Sequence, residues 1–380
     1  MNDIYLDHAA TSPMHPEVIQ VMTDTMSQVY GNPSSIYGIG RESRKYLDDA
    51  RAVISKSIGA KASEIVFTSG GSEADNLAIF GTAHARQQEG RHIITTQIEH
   101  HAVLRACERL ENDGFEVTYL PVDSRGMIAI DDLKNALRND TILVTIMYGN
   151  NEVGTVQPIA EIGQLLKNHP ATFHTDAVQA YGIEQLNVDE LGVDLLSTSA
   201  HKLNGPKGIG FLYERVSTKI DPLLVGGDQE RKRRASTENV PAIIGFAKAV
   251  ELAQQSMQVK QQQFEQYRNF ILQKLDEAQI SYHTNGDALH ALPHLLNISF
   301  KGMDVESFLV NLDMAGVAVS SGSACTAGSL DPSHVLVAMY GKGAEELRNS
   351  IRISFGYGLD DVQIERATQS IVTVVERFTK

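Results

Sequence analysis

Two short polar runs carry the side chains best suited to chemistry, His174-Thr175-Asp176-Ala177-Val178-Gln179 and Ser197-Thr198-Ser199-Ala200-His201-Lys202. Each overlaps or follows an apolar stretch with strand character, Ala171 to His174 in one case and Leu195 to Ser197 in the other. An acid at the end of one core strand and a lysine at the end of another would face a common crevice of a parallel sheet. That pairing suits pyridoxal 5'-phosphate (PLP), which needs a buried carboxylate at its pyridinium nitrogen and an amine at its aldehyde. Asp176 and Lys202 fill those roles. Gln179 then reaches the ring's phenolic oxygen if the chain turns helically after Asp176. A structural ion pair is the commoner fate of an acid and a lysine, and Lys207 is a competing amine. Lys207, however, lies in Gly205-Pro206-Lys207-Gly208, a turn before a strand, where lysines are usually solvated. Lys202 is therefore preferred.

Thr68-Ser69-Gly70-Gly71-Ser72-Glu73 follows the run Ile65-Val66-Phe67 and opens a helical pattern, so its glycine backbone and first-turn amides form an anion cradle. Ser72 is equally an N-cap candidate. The cysteines are Cys107 and Cys325, without CxxC or zinc-type spacing. Cys107 shares a helical face with Val103 and Leu110 and reads as a small buried apolar residue. Cys325 lies in Ser320 to Leu330, a stretch of serines, glycines, alanines and a threonine with little to bind it into a core. An exposed thiol there suits a relay that attacks in a pocket and then donates outside it. No HExxH or comparable spacing joins His100, His101, His174 and His201, so no metal site is expected.

The elements that position these residues follow from the hydrophobic pattern. Strand candidates near residues 65–67, 93–95, 117–120, 142–146, 171–174, 195–197 and 209–212, mostly separated by helical patterns, imply a mostly parallel seven-stranded α/β sheet covered on both faces. Beyond Pro241 a long helical pattern, expected to be interrupted, leads to strands near 296–300, 317–319 and 351–354 in a smaller α+β layer. The Gln261-Gln262-Gln263 run reads as a solvated helix face. The segment Asp7 to Thr11 reads as an irregular lead-in to a helix from about Val18 to Val29. The expected division is a large domain over residues 16–255 and a small one built from 1–15 and 256–380.

Hydrophobic residues at 42% and charged residues at 21% are ordinary for a soluble globular chain, and 380 residues exceed one compact domain. A net charge of −14 repels nucleic acid and anionic membrane surfaces, so small-molecule or protein partners are expected. No signal-peptide pattern opens the sequence and no apolar run approaches membrane-spanning length. The cytoplasm is the expected setting.

As a set, Leu6 to Thr11, Thr68 to Asn76, Glu99-His100, Asn150-Asn151-Glu152, Asp176 to Gln179, Ser199 to Lys202, Ser320 to Cys325 and Ser350 to Arg352 resemble the cysteine desulfurases, within the class V aminotransferase-like PLP enzymes. The likeness spans essentially the whole chain, and the run from Thr326 to Pro332 resembles the subgroup with a long catalytic-cysteine loop. The resemblance implies a fold-type I homodimer that converts L-cysteine to L-alanine. It implies Lys202 bound to PLP, His100 over the ring, and Gly71, Ser72, Ser199 and His201 at the phosphate. Asp176 goes to the pyridinium nitrogen, Gln179 to the phenolate, and Asn151 and Arg352 to the substrate carboxylate. His101 adjoins His100 and is read as structural. Cys325 would take the sulfur as a persulfide and pass it to an acceptor for iron–sulfur cluster assembly or tRNA thiolation.

Thr237 resembles the residue that reaches the phosphate in a neighbouring subunit. The preceding stretch departs from the family pattern, which has glycine and leucine where Lys232 and Arg233 fall and glycine where Asp228 falls. Its basic run is read as a solvated face. The rivals are an aminotransferase or selenocysteine lyase on the same fold, or a non-catalytic subunit of a sulfur-transfer assembly.

Overall fold

The computed structural model describes residues 3–321 and 332–379; the expectations about Cys325 and the stretch around it fall outside them. The strands are β1 Ile4–Tyr5, β2 Ile65–Thr68, β3 His92–Thr96, β4 Glu116–Leu120, β5 Thr141–Thr145, β6 Thr172–Asp176, β7 Leu195–Ser199, β8 Gly210–Glu214, β9 Tyr282–Asn285, β10 Leu295–Phe300, β11 Val317–Ala318 and β12 Ser350–Ser354. The helices are α1 Pro16–Gln28, α2 Gly38–Ser57, α3 Gly71–Arg86, α4 His101–Asn112, α5 Ile130–Ala136, α6 Ile159–Leu166, α7 Val188–Leu191, α8 Val240–Glu277, α9 Val305–Met314, α10 His334–Tyr340, α11 Glu346–Asn349 and α12 Asp361–Thr379.

β2 to β8 form a seven-stranded sheet ordered β2-β8-β7-β6-β5-β3-β4, parallel except for β8, which runs against both neighbours. This is the expected mostly parallel α/β architecture. Its inner strands are buried along their whole length, β5 (Thr-Ile-Leu-Val-Thr) and β6 among them, because helices cover both faces. The parallel direction places the loops after β2, β3, β5, β6 and β7 along one edge.

Two hydrophobic clusters organise the chain. One gathers Ile65, Phe67, Val144, Phe173 and Phe211 with Phe246, Val250 and Ala253 of α8. The other gathers Phe264, Tyr267 and Ile271 of α8 with Ile4, Leu6, Ile298, Ile351 and Ile371. α8 thus passes from one core to the next as a single 38-residue helix, where an interruption was expected. No proline or glycine occurs between Phe246 and Glu277, and the start is stabilised by the Asn239 side chain accepting from the Ala242 amide at 3.3 Å. The glutamine run is only partly a solvated face, since Gln261 donates to the Ile183 carbonyl at 2.7 Å.

Two strands escape the hydrophobic pattern. β9, Tyr-His-Thr-Asn, is a polar edge beside β10 in an antiparallel β12-β10-β9 sheet. β1 pairs in parallel with β11, and a further bridge from Asp7 to Ser354 carries the chain onward, so the lead-in is not irregular throughout. Together they deliver Ala9 and Ala10 to the functional edge.

The basic run is a correction to expectation. Arg231 and Lys232 are exposed, but Arg233 donates to the Ser63 carbonyl at 2.9 Å and Arg234 to Glu73 at 2.8 Å. Glu230, Arg231 and Lys232 hold left-handed φ values of 45°, 58° and 68°. Such a run of non-glycine residues costs about 1–3 kcal/mol per residue. It is held by the buried Glu230 carboxylate, which accepts from Arg51 at 2.6 and 2.8 Å and from the Phe67 amide at 3.1 Å.

Candidate active site

The carboxyl edge of the sheet gathers a cavity of about 370 Å³ lined by Gly71, Ser72, His100, Asn151, Asp176, Gln179, Ser199, His201, Lys202 and Arg352, all singled out from the sequence. Each arrives by a short path. Asp176 ends β6 and Ser199 ends β7; a 3₁₀ turn over Ala200–Lys202 then swings the lysine inward. Gly71 opens α3 directly after β2, and His100 caps α4 after β3. Arg352, 2% exposed, comes from β12 of the other sheet. A larger cleft of about 590 Å³ opens at the amino end of β6, and several of its charges are engaged in pairs such as Arg86–Glu89 and Arg215–Asp189. Ligands of parallel sheets bind at the opposite edge.

Lys202 Nζ donates to the carbonyls of Ala9 and Ala10, the latter at 2.8 Å. Asp176 accepts from the Val178 amide at 2.9 Å. Burial raises its carboxyl to about 6, against the pull of that amide and of Lys202. His100 Nδ1 accepts from the Ala102 amide at 3.1 Å, which assigns the ring proton to Nε2. Burial, then the charges of Lys202, His101 and His334, lower this imidazole to about 4. It is therefore neutral at physiological pH and carries an N–H to donate. His201 is lowered to about 4 by burial and then by Lys202 and Lys207. Gln179 donates to the Ala9 carbonyl at 3.0 Å. The Arg352 guanidinium donates to Asp7 at 2.7 Å and to the Asn151 carbonyl at 2.9 Å, which fixes its plane at the cavity wall.

The cradle differs in one detail from expectation. Gly70, not Ser72, caps α3, and no side chain makes the cap bond. Ser72 sits inside the first turn and is exposed. At Gly71 a Cβ would come within 2.7 Å of Val178 Cγ2, so glycine lets the backbone lie against the cavity wall. Glu73 of the same turn accepts from the Ser69 amide at 2.7 Å and pairs with Arg234.

Not every candidate joins the cavity. Thr237 is exposed and does not line it. His101 lies 4.7 Å from His334, ring centre to ring centre, at a tilt of 42°, and Cys107 is fully buried among Val103, Leu110 and Ile142, where burial pushes its thiol up. Lys207 is exposed, on a shallow surface groove beside Ser72 and His201. The cavity also has walls that residue type alone did not suggest: Ala9, Ala10, Asp75, Met147, Gly149 and Val178. Of these only Asp75 carried a signal, an acid one turn into the helix that opens with the cradle.

These features are those of a doubly wound α/β enzyme with a lysine–carboxylate cofactor pocket, and the chain belongs to the aminotransferase class-V family, whose profile matches residues 4–366. Relatives narrow this. It is 58% identical over 379 residues to "Putative cysteine desulfurase IscS 1" of Bacillus subtilis (strain 168), covering 100% of both chains. It is 46% identical to "Cysteine desulfurase IscS" of Methanosarcina thermophila, covering 99% of this chain and 92% of that one. Among solved structures, a "NIFS-LIKE PROTEIN" superposes with TM-score 0.92 at 34% identity over 99% of this chain and 100% of that one. Another, "SspA in complex with cysteine", gives 0.81 at 38% identity over 92% and 98%.

The cofactor of this family is PLP, and the cavity fits it. An amine and a buried carboxylate line one space, a helix amino terminus with a side-chain-free Gly71 adjoins it, and a neutral imidazole flanks it.

Proposed function

We propose that this protein is a cysteine desulfurase: free L-cysteine loses its sulfur to Cys325, leaving L-alanine and a Cys325 persulfide. The observation that carries this reading is that Lys202, Asp176 and Arg352 line one cavity, an arrangement for a carbonyl cofactor and an amino-acid carboxylate together. The relative solved with cysteine supports the substrate class.

Bound PLP supplies an electron sink that weakens the Cα–H bond and makes the sulfur of an attached amino acid electrophilic. The protein's own groups do the rest. Lys202 would hold the cofactor through its amine and would serve as the base that takes the Cα proton. Asp176 would hold a proton on the pyridine nitrogen, since a buried carboxylate favours a cation beside it. Gln179 is assigned to the phenolic oxygen, and Gly71, Ser72, Ser199 and His201 to the phosphate. Arg352, oriented by Asp7, and Asn151 bind the substrate carboxylate. Neutral His100 would pass a proton through Nε2. The Cys325 thiolate attacks the substrate sulfur: an S–S bond forms, the C–S bond breaks, and the carbon is protonated to alanine.

Ser320 and Ser333, on either side of residues 322–331, bond to residues of or next to the cavity wall. Ser320 pairs with Arg352 through backbone bonds of 2.6 and 3.2 Å, and Ser333 Oγ donates to Glu152 at 2.5 Å beside Asn151. Five residues of chain from Ser320 to Cys325 span at most about 17 Å when extended, a reach in keeping with a thiol proposed to attack in the cavity.

A homodimer, a sulfur-acceptor protein for iron–sulfur assembly or tRNA thiolation, and a cytoplasmic setting belong to the same proposal. The exposed Thr237 suits a role toward a second copy, as do the exposed apolar side chains of Tyr30, Ile36 and Tyr37 in the segment between α1 and α2. Among the described residues no helix is long and apolar enough to cross a membrane. The domain division near residue 255 is supported by α8 side chains, which serve one core through Ala253 and the other from Phe264; Ala9, however, packs with the larger core.

Anaerobic incubation of the PLP-loaded protein with cysteine should add one sulfur atom to its intact mass, mapped to Cys325, with alanine and no keto acid formed. A keto acid product in place of alanine would instead favour an aminotransferase. In Gly71→Ala the new methyl meets the stiff Val178 side chain, so PLP affinity should fall by about tenfold or more, read from the visible absorbance on titration.

A further inference from the structure

α3 brings a second carboxyl into the cofactor cavity that the reaction above does not use. Asp75 is 1% exposed, lines the cavity, and its Oδ1 has no hydrogen-bond partner among the described residues. One ligand atom from each of Asp75, His100 and Asp176 lies within 4.8 Å of the others. His174 Nε2 stands 3.8 Å from Asp75 Oδ1, with its ring held by Thr145 at 2.8 Å and Ser197 at 2.9 Å. The titratable groups facing the pair are His174 below, Glu99 and His100 from the loop after β3, and Lys202 from the turn after β7.

Two carboxylates this close in a site shielded from water cannot both stay ionised, so the pair shares a proton. Geometry decides which one holds it. Asp176 accepts an amide N–H at 2.9 Å and faces Lys202, whereas Asp75 Oδ1 has neither support. We propose that Asp75 is a positioning residue that holds the proton of an Asp75–Asp176 pair, so that the pair presents a single negative charge, on Asp176, to the ring nitrogen of PLP. The inference rests on the cofactor reading for its purpose but not for its proton. Burial, and after it the neighbouring Asp176 charge, push Asp75 up against the pull of the Ser197 hydroxyl, in the same direction as the geometry, and the Glu99 charge adds to them. The trio also contains the atoms of a cation site, but Asp176 cannot serve an ion and the ring nitrogen together.

Infrared spectroscopy of the cofactor-free protein at pH 7 tests the proton directly. A carboxylic-acid C=O band should be present, shift in D2O, and vanish in Asp75→Asn. The buried Glu99, raised to about 8, contributes a band of its own, identified by its loss in Glu99→Gln. In the PLP-loaded protein, Asp75→Asn replaces one neutral group by another, so the pH midpoint of the visible band should stay put. Removal of an ionised Asp75 would instead move it down by about one unit. Asp75→Ala should lower PLP affinity about tenfold, and Asp75→Asn should restore it. An infrared band untouched by Asp75→Asn overturns the assignment of the proton. Equal PLP affinity in the Ala and Asn variants overturns the positioning role. If the parent protein fails to take up PLP while the Asp75 band is present, the cofactor reading fails and the proton assignment stands.

Discussion

Lys202→Ala is expected to yield a folded protein that shows no visible absorption from bound PLP and no release of sulfur from cysteine. The colour depends on the amine being joined to the cofactor aldehyde, and Lys202 is the amine that lines the cavity with Asp176, while Lys207 is exposed outside it. Loss of the group that moves the Cα proton alone costs about 10²–10⁴ in rate, and loss of the covalent tether adds to it. Lys202 also holds the Ala9 and Ala10 carbonyls, so part of any effect on the alanine variant is structural. Lys202→Arg separates the two: it keeps a donor cation near those carbonyls but cannot condense with the aldehyde, and it too should be colourless and inactive. A coloured Lys202→Arg protein would show that another amine carries the cofactor.

Cys325→Ala is expected to behave in the opposite way on colour and in the same way on product. The substitution leaves Lys202 and the other described residues that line the cavity unchanged, so the visible band and its response to cysteine should match the parent protein. Sulfide and persulfide should fall to background, because the substrate sulfur has no thiolate to accept it. Cys107 offers no substitute, being buried with its thiol pushed up. Intact mass after cysteine, with iodoacetamide to cap free thiols, reads the outcome. Normal sulfur release by this variant would remove the relay from the mechanism while leaving the cofactor site untouched.

Much of this site is legible along the chain because strand ends and chemistry coincide. Asp176, Ser199 and Lys202 each sit at or just after the carboxyl end of a strand whose apolar run is readable, and a parallel sheet sends all such ends to one edge. The glycine cradle after β2 is legible for the same reason. β9 was not, since a polar edge strand has no buried face to leave a periodic signature, and neither was β1, two residues long. The basic run was misread because net charge says nothing about bonding partners: Glu73, Glu214 and the Ser63 carbonyl draw Arg233 and Arg234 inward.

The order of residue types along the chain determined the sheet and singled out the amine and the carboxylate that meet in the cavity, because hydrophobic periodicity and strand-end loops are local properties. Only the tertiary structure decided that Arg352, from a different sheet, meets Asp7 at the cavity wall, that Ala9 and Ala10 lie under Lys202, and that Asp75 stands beside Asp176. Those contacts join positions up to 345 residues apart, and the proton that two neighbouring carboxyls must share follows from their distance and shielding from water, neither of which is written in either residue's sequence context.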